Sequence, residues 1–423
     1  MPAIFTGRTI FKGSLLALLG SVLLLRCDGA GDDPSDDDAF GEMPLHETQK
    51  IVAAIAAGGF FGVSVAVDGG VAVVGAQGGH TMPGAAYVFE VSGGVWTEVT
   101  RLTASDGRAG DGFGFSVAIS GDRAIVGRHA SYSGSPGPWV AYVFERIGEV
   151  WSEVAILTAS DAQIAGLLGV PVAISGNVAV VGVEDQTPSS GGIYAGAAYV
   201  FEIVGGVWTE VVQLTASDAR DFDAFGKSVA ISGDVVIVGT NGGQNKNQSG
   251  AAYVFESSGG IWSEVAILTA SDADAQTFDT FGREVAISGN VVVVGDFTES
   301  LDGTLAGAAY VFESVGGMWT EVAKLTASDA QTEAFFGSAV AFRGNEVVVG
   351  AAGHDGGGSA AGAAYIFESV GGVWTEVVQL TASDAQGGDY FGEYVAASGG
   401  VIIVGVPGIT SAGVLTGKAY IFQ

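Results

Sequence analysis

Three of the four histidines, two loop aromatics and a recurring set of acids are the residues of this 423-residue chain whose types and places could do chemistry. His80, His129 and His354 carry imidazoles, which can ligate a metal or exchange protons near neutral pH. Tyr132 and Trp139 could offer aromatic faces to a sugar or a protein. Asp185, Tyr194, Asn241, Asp296 and Asp355 add carboxylates, a phenol and an amide able to hydrogen-bond a ligand. An Ala-Ser-Asp string recurs with Asp106, Asp161, Asp218, Asp272, Asp329 and Asp384, and a second acid stands two residues before a phenylalanine at Asp111, Asp223, Asp279 and Asp389. Such a ring of carboxylates could hold cations or a basic partner. It could equally cap local backbone N–H groups in Asx turns. Recurrence in nearly every copy favours the structural role, because a binding site is local to a few copies. No nucleophile elbow, phosphate loop or zinc-protease string is present, and no residue is assigned to catalysis.

These residues are carried by repeats. Phe-Gly or its variant occurs at Phe61-Gly62, Phe113-Gly114, Leu168-Gly169, Phe225-Gly226, Phe281-Gly282, Phe336-Gly337 and Phe391-Gly392, at a spacing of about 55 residues. A second string, AYVFE or a close relative, ends at Phe89, Phe144, Phe201, Phe255, Phe312, Phe367 and Phe422. A third, W-[TS]-E-V, occurs six times, at Trp96, Trp151, Trp208, Trp262, Trp319 and Trp374. The fourth copy shows the unit clearly. Ser228–Ser232 alternates small and apolar residues as a strand does, and Gly233-Asp234 suits a two-residue hairpin turn. Val235–Val238 is apolar on both faces, Ala251–Glu256 is a third strand, and Ile261–Thr269 is a fourth. Four antiparallel strands per unit predict an all-β fold: a seven-bladed β-propeller of four-stranded antiparallel blades spanning residues 44–423. The chain ends after the seventh AYIF, so the last blade lacks a fourth strand. Leu45–Ala53 stands where a fourth strand precedes every other Phe-Gly, and is expected to pair with Gly417–Phe422 and close the ring.

The strings resemble the FG-GAP repeat of the integrin α-chain propeller and of bacterial surface proteins. The resemblance rests on Phe-Gly, on Val74-Gly75-Ala76 and Val404-Gly405-Val406-Pro407, and on Gly84–Phe89 and Gly417–Phe422. It implies the propeller fold and says little about function. Relatives in the integrin group carry a D-x-D/N-x-D-G calcium loop between the first two strands. Here that place holds only Gly121-Asp122, Gly176-Asn177, Gly233-Asp234, Gly289-Asn290, Gly344-Asn345 or Gly399-Gly400. Two residues cannot supply six to eight oxygen ligands, so the calcium sites are not carried over and no metal or other cofactor is expected.

Ahead of the repeats, Arg8 and Lys12 precede a 12-residue apolar run, Ser14 to Leu25, which is too short for a comfortable membrane span. Residues 1–27 read as an export signal. Cys27, the only cysteine, follows Leu23-Leu24-Leu25-Arg26 and resembles a bacterial lipobox, with Arg26 where a small residue is expected. Lipid at Cys27 would tether the domain to a membrane. Residues 28–43 are acidic and small, suited to a disordered linker or spacer. With 46 acidic against 16 basic residues, the net charge of −30 opposes binding to nucleic acid.

In such blades the second-to-third loops and the blade-to-blade linkers share one face, and the short glycine turns share the other. The candidate residues named above fall on the loop-rich face, where variable loops on a rigid scaffold commonly bind. The three histidines belong to the first, second and sixth blades, need not meet, and are expected to be exposed and unrelated. The leading expectation is an extracytoplasmic, adhesion-like propeller of the cell envelope, monomeric, binding a protein or glycan ligand and not an enzyme. The alternatives are a propeller hydrolase or lyase using acids around the axial channel, and a purely structural envelope component.

Overall fold

The computed structural model describes residues 45–52, 59–78, 82–128, 140–161, 170–188, 193–240, 249–272, 280–299, 305–407 and 417–423. Leu45–Gln423 forms one compact unit. The expected signal at 1–27 with Cys27, the expected linker at 28–43, His80, His129, Tyr132, Trp139, Leu168-Gly169, Asn241 and Asp279 lie outside the described residues.

Valine-rich runs separated by glycine turns give seven four-stranded antiparallel sheets, arranged as the blades of a propeller. The fourth blade runs Ser228–Ser232, Val235–Gly239, Ala252–Ser258 and Ile261–Leu268, from the inner strand at the axis to the outer strand at the rim. Its second strand is almost wholly buried because neighbouring blades cover both faces, whereas its outer strand alternates with solvent. Ser232 pairs with Val235 across a two-residue turn whose Gly233 has φ +58°, a conformation suited to glycine. The turns between the third and outer strands are equally short, as where Val204 pairs with Val207 around Gly205-Gly206.

The core consists of seven apolar clusters, each shared by two adjacent blades. One joins Val73, Val88 and Leu102 of the first blade to Phe113, Val126 and Tyr142 of the second. Another joins Ile403 and Ile421 of the seventh blade to Phe61, Val74 and Tyr87 of the first. A single blade is too small to bury a core of its own, and stacking supplies it. Among the described residues, the Phe-Gly string sits at six of the junctions. The Phe281 ring packs edge-on against Tyr310 and Phe312, with centroids 5.4 and 6.1 Å away. Gly282 has φ +92°, and a Cβ there would lie 2.3 Å from the Ala251 carbonyl of the preceding blade. Glycine is therefore required for the blades to approach this closely.

The ring closes through the N-terminus. Glu47–Ile51 pairs antiparallel with Lys418–Phe422 and becomes the outer strand of the seventh blade, as the missing tryptophan string predicts. His46 and Gln423 exchange backbone hydrogen bonds of 3.3 Å beyond the strand's start, and Ala53 lies outside the described residues. In six blades the outer strand carries a β-bulge at the valine of W-[TS]-E-V. In the fourth blade, for instance, Phe255 pairs with Glu264 and Val254 with Ala266, leaving Val265 as the extra residue. The closing strand repeats this bulge at Thr48, between the Glu47–Phe422 and Gln49–Ile421 pairs.

Candidate functional site

For the Ala-Ser-Asp linkers the sequence predicts Asx turns. Each aspartate accepts a hydrogen bond from the tyrosine hydroxyl on the third strand of the next blade: Asp106 from Tyr142, Asp161 from Tyr199, Asp218 from Tyr253, Asp272 from Tyr310, Asp329 from Tyr365 and Asp384 from Tyr420, at 2.5–2.9 Å. The adjacent serine donates from its backbone N–H and its hydroxyl to the glutamate of the next W-[TS]-E-V string, as Ser271 does to Glu321 at 2.8 Å. The bulge residue of the outer strand stands directly after that glutamate, as Val322 follows Glu321. Ser383 makes the same pair with Glu47, at 2.9 and 3.0 Å, so the closing strand carries the complete latch. Asp384 also meets Lys50 at 3.0 Å and Lys418 at 3.2 Å. The Tyr420 hydroxyl, with these lysines, holds its carboxyl well below the usual carboxylate range. Burial and the aspartate hydrogen bond push the partner tyrosines up, so they remain hydroxyl donors. The second set of acids does cap local backbone. Asp111 accepts from the N–H groups of Arg108 and Phe113, Asp223 from Arg220, and Asp389 from Gln386.

Several candidate residues are likewise structural. His354 is buried (2% exposed), contrary to the expectation of an exposed loop histidine. Its Nδ1 accepts from the Gly356 N–H at 3.0 Å, which leaves the proton on Nε2, 2.9 Å from Asp329 Oδ2. It is thereby fastened beneath its loop by the latch aspartate. Asp296 is fully buried and accepts from the hydroxyl and N–H of both Thr280 and Thr298. Asp355 is exposed, and its carboxylate accepts from the Ala360 N–H at 2.8 Å. Asp185 is half-buried in the same loop as Tyr194. Tyr194 is exposed, and its ring lies 5.8 Å from that of Phe222 in the following linker. This pair of solvent-facing rings brings one expected residue to one that the sequence reading passed over.

The arrangement with the most chemical content lies on the axis. A cavity of about 740 Å³ occupies the channel toward the loop-rich face. Its wall is built largely from residues flanking each Phe-Gly: one just before it, such as Phe60, Phe335 or Tyr390, and the two just after it. Those two positions read Val63-Ser64, Phe115-Ser116, Val170-Pro171, Lys227-Ser228, Arg283-Glu284, Ser338-Ala339 and Glu393-Tyr394, of which Val170 and Ala339 are buried and do not line the cavity. Phe335 and Tyr390 have φ of +55° and +56°, backbone that a non-glycine residue adopts only at a cost. Lys227 pairs with Glu184 at 3.0 Å, and the Arg283 guanidinium lies 4.7 Å from the centre of the Phe297 ring. Glu284 stands on the inner strand of the fifth blade, where loss of hydration pushes its carboxyl up to about 7. Burial also raises Glu393, which accepts from the Tyr394 hydroxyl at 3.4 Å, while Arg283 pulls it partly back. A wall of this kind can hydrogen-bond and ion-pair with a polar ligand while aromatic rings cover its apolar parts. None of these residues was singled out from the sequence. The available signal was that the copies agree closely along their strands and yet differ beside Phe-Gly.

The profile of the FG-GAP repeat matches seven segments, at residues 45–89, 96–144, 151–201, 208–255, 262–312, 319–367 and 374–422. The chain belongs to the FG-GAP repeat family. The first match begins at Leu45, in the same phase as Trp96, Trp151 and the other tryptophans, so the family repeat counts the closing strand as its opening segment. No curated protein matches the chain. In this FG-GAP propeller the turns between inner and second strands hold two residues each, as at Gly289-Asn290, where the integrin-type calcium loop would stand.

Proposed function

We propose that this FG-GAP propeller is an extracytoplasmic, membrane-tethered binding protein that seats the polar end of a protein or glycan ligand in the mouth of its axial channel, on the loop-rich face. One observation carries the reading. The seven copies vary where their side chains converge on the cavity, and that variation assembles Lys227, Arg283, Glu284, Glu393 and Tyr394 around one space. A structural spacer has no use for ionisable groups on a channel wall, where burial costs free energy. The Tyr194–Phe222 pair extends the same face with exposed aromatic area. The lipobox-like Cys27 supports the tether, and the net charge of −30 suits a partner that presents cations to the carboxylates.

Screening protein and glycan arrays with the purified domain tests this. A ligand is expected whose binding falls at least about tenfold in Glu393→Gln and Lys227→Ala, the loss of roughly one charge-assisted contact each. A ligand that binds both variants as it binds the parent would place recognition elsewhere. The neighbouring carboxyls Glu284 and Glu393, both raised by burial, favour a second reading as a hydrolase that uses one as an acid and the other as a base. Cleavage of a bound glycan or peptide, abolished by Glu284→Gln, would establish it.

A further inference from the structure

The face opposite the mouth carries the turns between third and outer strands, and the residues flanking these turns are uncharged and apolar far more often than exposed hairpin tips require. Ile147 and Val150 of the second blade are 72% and 64% exposed, and Val315 and Met318 of the fifth are 71% and 68% exposed. Valine pairs repeat the arrangement in the third and sixth blades, and Val95 and Ile261 stand opposite serines in the first and fourth. Five of these six turns are Gly-Gly, without charge, and the antiparallel topology sets all of them on one side of the ring. The seventh blade has no such turn. There the chain enters instead, because Glu47 pairs with Phe422 at the end of the third strand that lies on this same face. The 44 residues ahead of Leu45, Cys27 among them, therefore join the domain at the rim that bears the apolar tips.

We infer that this face rests on a membrane, with the six hairpin tips set into the interfacial layer of an uncharged, zwitterionic lipid surface and the channel mouth turned away from it. Three observations select that occupant. The tips are separate small protrusions around a ring, and a fluid surface closes around each one, whereas a rigid partner would need six matching sockets. Each copy carries a net charge of −30, which opposes a second copy seated face to face and likewise opposes anionic lipid. The chain's own N-terminal segment leaves from this face, so a tether to any membrane draws these tips toward it. The inference shares the tether with the functional reading and is independent of what the mouth binds.

Residues 28–423 contain the whole closed unit with all seven cores, and lack cysteine, so single labels can be placed. A histidine tag ahead of residue 28 would hold the domain on phosphatidylcholine vesicles containing a nickel-chelating lipid, which makes the test independent of lipid at Cys27. An environment-sensitive fluorophore at Val207→Cys is expected to shift to the blue and to be quenched by brominated acyl chains, while the same label at Asp355→Cys is not. Adding Ile147→Ser, Val150→Ser, Val315→Ser and Met318→Ser, all at exposed positions, should abolish the shift and the quenching at position 207 and leave the melting temperature unchanged. Equal signals at both sites, no signal at either, or a signal that survives the serine changes would overturn the inference. So would self-association in sedimentation that disappears in the serine variant, which would assign the tips to a second copy.

Discussion

Glu284 shows how much chemistry a single repeat position can hold. Its carboxyl titrates near 7 in the folded protein against an ordinary value of 4.5, because the channel wall hydrates its charge poorly. Between those values the folded chain keeps a proton that the unfolded chain releases. Stability linked to this group is thus fully present below pH 4.5 and lost as pH rises through 7. Glu284→Gln should melt higher than the parent at pH 8 and together with it at pH 4. The same difference at both pH values would show that the side chain acts through packing alone. The Ala-Ser-Asp acids, which the sequence displays most prominently, prove to be committed to tyrosine hydroxyls across the blade junctions. Their recurrence correctly marked them as structural. The partner was not legible, because a hydroxyl on the next copy's third strand lies about 36 residues away and only the ring's geometry brings it close. The channel residues escaped notice for the opposite reason: they share no motif, and only their lack of agreement distinguishes them.

At the scale of the element, the outer strands were legible wherever tryptophan marked them and faint where it did not. Leu45-His46-Glu47 occupies the place of Trp-Thr-Glu, and the glutamate is what survives. It survives because it has a fixed task, receiving both donors of Ser383 as Glu321 receives those of Ser271. Glu47→Ala and Glu321→Ala should therefore cost similar amounts, about 1 kcal/mol each given the solvent around these bonds. Paired denaturant titrations would reveal this as equal drops in midpoint at unchanged slope. A negligible effect of Glu47→Ala would mean that the closing strand is held by its backbone ladder and by Gln49, whose side chain exchanges hydrogen bonds with the Trp96 backbone at 2.7 and 2.9 Å.

For the whole molecule, the blade count, strand order and closure followed from three short strings, because a repeat that cannot bury its own core has few ways to fold other than against copies of itself. Closure joins both ends of the domain in one sheet, so loss of the first strand exposes Lys418–Phe422 as an open edge beside two clusters that depend on it. Deleting residues 44–54 should abolish the β-sheet circular dichroism signal cooperatively or lower its melting temperature sharply. A truncated domain that melts like the parent would refute the dependence. The bulges at the rim bear on a different matter. Seven outer strands face outward, and each would be a template for a strand from a neighbouring molecule were its ladder regular. An extra residue in every one of them interrupts that ladder, at Thr48 in the closing strand as at Val265 in the fourth blade. Many copies can accordingly crowd side by side without fusing into a continuous fibre.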